Sequence, residues 1–183
     1  SGEVFCWGRN TNRALGLTSS TSTIARRTIP DITNAEQVVC GESFVCVLRD
    51  DGSVACWGDN SRQQISNSVE TSVTVPTTIS GLESIIAIDA GNRFACALHT
   101  DGSVWCWGDN SEGQLGNNSD VESSSTPVRV SDFDDVTDLS LGARHACALR
   151  REGLWCWGDG SFGQLGDGRQ GEVDDDGALI EEH

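Results

Sequence analysis

Eight cysteines stand in this chain, Cys6, Cys40, Cys46, Cys56, Cys96, Cys106, Cys147 and Cys156. Thiols in pairs either join to each other or hold a metal. Cys46/Cys56 and Cys96/Cys106 lie ten residues apart, and Cys147/Cys156 nine. Zinc sites are built on short C-x-x-C knuckles, which this spacing lacks, so no metal site is expected. Three disulfides are expected instead. Each closes a loop of roughly ten residues, a constraint on the unfolded chain that contributes about 2–3 kcal/mol. Structural disulfides persist in secreted, periplasmic or cell-surface proteins, and this chain is placed there.

Cys6 and Cys40 fall outside that scheme. Cys6 stands where a second-strand cysteine stands in the other units, so its partner is expected upstream or in another chain. Cys40 occupies a position held by Ala90 and Leu141 elsewhere and reads as a buried free thiol. A Cys6–Cys40 bridge follows from no strand register.

Other reactive types are sparse. His99 and His145 are the histidines within the repeats, and His183 is terminal. No Ser or Cys nucleophile is arranged with either, so no catalytic residue and no cofactor are expected. Asp109-x-Ser111-x-Gly113 resembles the start of a calcium loop but lacks the later bidentate Glu. Asp59, Asp109 and Asp159 read instead as turn caps. The acidic run Asp174–Asp176 offers weak calcium binding and otherwise reads as solvated charge. Asn117-Asn118-Ser119 is an N-glycosylation pattern in an expected surface loop.

The cysteines need elements that bring them face to face. Phe94, Cys96 and Leu98 alternate with Ala95 and Ala97; Val104 and Cys106 alternate with Trp105 and Trp107. Period-two alternation on both sides of Thr100-Asp101-Gly102 predicts a β-hairpin with a three-residue, Gly-containing loop. If Cys96 faces Cys106, then Leu98 faces Val104, Ala97 faces Trp105 and Ala95 faces Trp107. Each indole then meets a small side chain. The same rule pairs Cys46 with Cys56 around Asp50-Asp51-Gly52. In the unit that is one residue shorter, Cys147 still faces Cys156 if Arg151-Glu152 turns the chain.

The hairpin is one part of a repeat. Phe5-Cys6-Trp7-Gly8 recurs as Ala55-Cys56-Trp57-Gly58, Trp105-Cys106-Trp107-Gly108 and Trp155-Cys156-Trp157-Gly158, a constant step of 50 residues. Downstream of it stands Asp109-Asn110-Ser111-Glu112-Gly113-Gln114-Leu115-Gly116, matched by residues 159–166 and, in degraded form, by 9–16 and 59–66. Residues 18–23, 66–74 and 117–126 are rich in Ser, Thr and Asn. They read as long surface loops, each before a short strand that includes or follows Pro30, Pro76 or Pro127.

Composition agrees with many short strands and tight turns: 21 Gly, 3 Pro and 6 Trp in 183 residues. The net charge of −16 repels phosphate backbones, so nucleic acid and anionic membranes are excluded as partners. The longest apolar run, near Ile85–Ile88, is far too short to insert in a bilayer. The chain opens in mid-motif, as an excised or processed segment would.

Together, Ala90-Gly91-Asn92-Arg93-Phe94-Ala95-Cys96-Ala97-Leu98 and the Cys-Trp-Gly-Asp-Asn-Ser-Glu-Gly-Gln-Leu-Gly string closely resemble the RCC1 repeat over roughly residues 1–170. That resemblance implies an all-β fold of four-stranded propeller blades around a channel, commonly about seven per ring. Three steps of 50 are too few, so 3–4 blades in an open arc are expected over residues 1–170, with 171–183 as an acidic tail. A smaller closed propeller is the alternative. No basic surface or loop of the kind that serves chromatin and a small GTPase in that family is found. The functional expectation is a non-enzymatic extracellular structural, adhesive or assembly module, working through protein partners or self-assembly. The alternative is a secreted protein-binding domain of receptor or inhibitor type.

Overall fold

A computed structural model describes residues 2–18 and 22–168; the acidic tail, with Asp174–Asp176, and His183 lie outside the described residues. The described chain is all-β apart from one 3₁₀ turn at Thr11–Arg13. Its strands are β1 (Phe5–Gly8), β2 (Thr23–Thr28), β3 (Ala35–Cys40), β4 (Phe44–Arg49), β5 (Val54–Asp59), β6 (Ser72–Thr78), β7 (Ile85–Ala90), β8 (Phe94–His99), β9 (Val104–Asp109), β10 (Ser123–Arg129), β11 (Val136–Leu141), β12 (His145–Arg150) and β13 (Gly153–Gly158).

Four antiparallel sheets follow in chain order: β1-β2, β3-β4-β5-β6, β7-β8-β9-β10 and β11-β12-β13. Each is a blade, the second and third with four strands. The first contains only the two outer strands of the repeat, and the fourth only the inner three. The open arc of 3–4 blades is therefore the architecture of the described chain.

The hairpin register is the one that alternation implies. Across β8/β9, Leu98 pairs with Val104, Ala97 with Trp105, Cys96 with Cys106 and Ala95 with Trp107. Across β12/β13, Arg150 pairs with Gly153, so Arg151-Glu152 is the turn. Gly52 and Gly102 take positive φ (+77° and +83°) in the three-residue loops, a conformation that costs glycine nothing. The inner strand of each of the last three blades also repeats a bulge, at Ala35/Gln37, Ile85/Ala87 and Val136/Asp138.

The outer strands depart from expectation. β6 and β10 begin at Ser72 and Ser123, inside stretches that read as loop. Their Ser/Thr-rich composition carries no apolar alternation because one strand edge faces solvent. Pro76 and Pro127 sit within them, which an edge strand tolerates. Pro30 instead follows its strand, β2, rather than introducing one.

The core lies between blades rather than within them. Phe44, Cys46, Leu48, Val54 and Cys56 of the second blade form one buried cluster with Ala95, Ala97 and Trp107 of the third. Phe94, Cys96, Leu98, Val104 and Cys106 of the third blade cluster with Ala146 and Ala148 of the fourth. Close approach at the inner rim requires glycine. A Cβ on Gly91 would lie 2.1 Å from the Phe94 ring and 2.6 Å from the Gly142 carbonyl.

Candidate interaction surfaces

Each seam is built from a tryptophan and a turn. The indole N–H of Trp57 donates to the Ala14 carbonyl (2.9 Å), that of Trp107 to Gln64 (3.0 Å) and that of Trp157 to Gln114 (2.9 Å), always 43 residues back. Asparagine holds the acceptor turn in shape. Asn60 Oδ1 accepts from the Ile65 N–H, Asn110 Oδ1 from Leu115 and Asn10 Oδ1 from Leu15. Glutamine closes it locally, with Gln64, Gln114 and Gln164 accepting from the backbone N–H two residues earlier. Asp59, Asp109 and Asp159 accept from the N–H of Ser61, Ser111 and Ser161. Hydrogen bonds from Ser161, then the Arg144 guanidinium, hold the Asp159 carboxyl below the usual carboxylate range.

Two of the three cysteine pairs lie in these seams, Cys46/Cys56 against the third blade and Cys96/Cys106 against the fourth. Cys46–Cys56, Cys96–Cys106 and Cys147–Cys156 are disulfides, with Cα–Cα separations of 4.1 Å in all three. The first two are fully buried. Cys6 and Cys40 are free thiols. Burial pushes Cys6 up to about 11, and the nearby Cys40 adds to the rise. Cys40 was expected to be buried, and this is corrected: its residue is exposed at the end of β3.

The histidines serve turns and packing. His99 Nδ1 lies 2.8 Å from Asp101 Oδ1. Asp101 Oδ1 accepts from the Ser103 N–H (2.8 Å), and Ser103 Oγ accepts from the Trp105 indole (3.1 Å). Bonds from Ser103, then His99, hold the Asp101 carboxyl well below its ordinary value. The hydroxyl in this trio is buried and already engaged, a poor position for a nucleophile. Arg49 reaches Ser53 at the corresponding place in the second blade, so the arrangement is a repeated turn device. His145 opens β12 and fills the site that Phe44 and Phe94 fill beside Gly41 and Gly91.

Two surface features escaped the sequence. A shallow pocket of about 260 Å³ is lined by Arg62, Arg93 and Arg144 with Glu42 and Asp109. These guanidiniums are already engaged, Arg62 with Asp109 (3.8 Å), Arg93 with Glu42 (3.6 Å) and Arg144 with Glu112 (3.0 Å), each pair linking neighbouring blades. Gln37 also clasps the Ile88 backbone, donating to its carbonyl at 2.8 Å and accepting from its N–H at 2.9 Å. Arg93 and Arg144 recur 51 residues apart, but Gln37 gave no signal, since Ala87 and Asp138 stand at its place in the other blades. Asn117 is half-buried in the loop before β10, and its Oδ1 is buried without a partner.

The blades, seams and staples define a class: a β-propeller arc whose hairpins are joined through sulfur. The regulator of chromosome condensation (RCC1) repeat matches residues 1–48, 51–98 and 101–149, and a second form of it matches 35–64, 85–114 and 136–164. The chain belongs to the RCC1 repeat family. Human WBSCR16 is similar at a TM-score of 0.80 and 26% identity, over 92% of this chain and 46% of its own. Yeast RCC1 (Prp20), solved bound to Kap60, is similar at 0.82 and 21%, over 99% and 45%. The ectodomain of the Physcomitrella patens receptor kinase CR4 is similar at 0.53 and 21%, over 93% and 40%. This chain thus spans less than half the length of these relatives. No curated protein matches it in sequence.

Proposed function

We propose that this chain is a non-enzymatic, extracellular structural module that works by protein association, as an adhesive or assembly unit. The observation that carries the reading is the disulfide in every complete hairpin. Such bonds endure outside reducing compartments, and they stiffen surfaces without supplying reactive groups. The fold is one that other proteins use for association: yeast Prp20 was solved with Kap60, and CR4 carries its version in an ectodomain. With a net charge of −16, protein partners or further copies suit it better than nucleic acid. No described helix is long and apolar enough to cross a membrane. Weak calcium binding by the acidic tail and a glycan on Asn117 belong to this proposal.

A second reading, a secreted receptor-like or inhibitor-like domain taking one partner, is favoured by the arginine-lined pocket. One experiment addresses both. The oxidised chain is immobilised and exposed to the secreted fraction of its source. Recovery of its own kind supports the assembly reading, and a single stoichiometric different protein supports the receptor reading. Retention of nothing above an inert control would end both.

A further inference from the structure

The third blade holds a pocket of about 260 Å³, lined by Leu82, Glu83, His99, Asp101, Trp105 and Arg129. Strand pairings fix the equivalent positions in the other blades. Ile85 pairs with His99, Val136 with Arg150 and Ala35 with Arg49. Ala97 pairs with Trp105, Ala148 with Trp155 and Val47 with Ala55. In the fourth blade, therefore, Arg150 stands in the place of His99, Phe133 in that of Leu82 and Trp155 in that of Trp105.

There the chain fills the seat with its own arginine. The Arg150 guanidinium carbon lies 4.9 Å from the Phe133 ring centre and 5.9 Å from that of Trp155. The two rings meet edge to face at 6.4 Å. Arg150 Nε is buried without a hydrogen-bond partner among the described residues, so the rings rather than a polar group hold this part of the side chain. In the second blade, which has Ala55 instead of tryptophan, Arg49 bonds to Ser53 and Thr78 (3.3 and 3.2 Å).

The third blade keeps the indole but lacks the arginine. His99 turns back on its own loop, with Nδ1 2.8 Å from Asp101 Oδ1. Leu82 replaces a ring by a smaller side chain. Trp105 is partly buried and fixed in place, its N–H donating to Ser103 Oγ at 3.1 Å. Two carboxylates flank it. Asp101 is ionised at neutral pH, held low by Ser103 first and then by His99. Glu83 is exposed and makes no ion pair among the described residues. The charge of Arg129 is answered by its ion pair with Asp134, which lies outside the lining. The pocket thus combines an accessible indole with negative charge that nothing in it neutralises.

We propose that this pocket receives an arginine side chain of a protein partner, its guanidinium stacked on Trp105 and bonded to Glu83 and Asp101. This rests on the protein association read above and names the group that the partner contributes. The seat that the fourth blade fills from within is filled from outside in the third. A guanidinium suits it because it is flat, weakly hydrated, stacks on an indole and forks to carboxylates. A compact, strongly hydrated ammonium meets the charge but not the stacking.

The test is a titration of the oxidised, ¹⁵N-labelled chain with N-acetyl-arginine amide, followed through the tryptophan indole N–H signals, with that of Trp105 assigned by Trp105→Phe. Salt at about 150 mM screens diffuse attraction to the acidic surface. The Trp105 signal should shift and saturate, with a Kd of about 10 mM or below. The lysine analogue, equal in charge, should bind at least about threefold more weakly, and the neutral citrulline analogue should give no saturating shift. Glu83→Gln should weaken the arginine probe about threefold. His99→Arg, which copies the fourth blade, should close the pocket and abolish the Trp105 response.

Absence of a saturating Trp105 shift would overturn the proposal. So would equal responses to arginine and citrulline, or undiminished binding by folded His99→Arg. Should that variant not fold, Glu83→Gln and the citrulline comparison decide. If the probe fails while the immobilised chain still retains a secreted protein, this inference alone falls. If the chain retains nothing either, the association reading falls on its own test.

Discussion

Trp107 shows what a single residue does in this design. Its ring is buried against the disulfide of the preceding blade, and its N–H is satisfied by the Gln64 carbonyl at 3.0 Å. Trp107→Phe keeps most of the burial but leaves that carbonyl unpaired, at a cost of about 1 kcal/mol. Trp107→Ala should cost about 3–5 kcal/mol. Urea titration of both variants checks the order. At Cys6 the prediction concerns pH. A thiol raised from 9.0 to about 11 is held in its neutral form by the fold. Its contribution to stability is complete below pH 9 and is lost as pH rises through 11. Alkylation of Cys6 by iodoacetamide should therefore lag behind that of a free thiol at pH 9 and catch up near pH 11. Equal rates at pH 9 would contradict the burial.

At the scale of the element, the hairpins were legible and the outer strands were not. Strict alternation around a Gly loop leaves one register that pairs indoles with alanines. Removing one residue from the fourth loop changes the turn but none of the pairings. β6 and β10 gave no such signal, because an edge strand with polar residues on both faces reads as loop. The seam turns were half legible. Their repetition was plain, but that Asn60 and Asn110 organise them, and that their carbonyls receive an indole from 43 residues on, needed three dimensions. Asp59, Asp109 and Asp159 accept hydrogen bonds from serines two residues on, the turn-capping role read from the sequence. Two predictions belong here. Gly91→Ala places a methyl 2.1 Å from the Phe94 ring and should cost about 1–3 kcal/mol through overpacking, read as a lowered melting temperature. Replacing Cys96 and Cys106 together by serine should cost about 2–3 kcal/mol, with the β-rich circular dichroism spectrum retained in dilute denaturant.

Across the whole molecule, stability is distributed along a row of seams rather than gathered in one centre. A repeat array of this kind is a sum of units and nearest-neighbour interfaces, so an uncovered end lacks one interface. The family and fold class were legible in the fifty-residue step. The partner was not, because a face that contacts another molecule obeys the same patterning rules as one that contacts its own neighbouring blade.

All of this depends on sulfur bridges holding each complete hairpin. The most direct measurement is intact-mass analysis of native material after alkylation without reductant. Labelling of two cysteines, mapped to Cys6 and Cys40, is the predicted result. Alkylation of Cys46, Cys56, Cys96, Cys106, Cys147 and Cys156 in folded, unreduced protein would contradict the account.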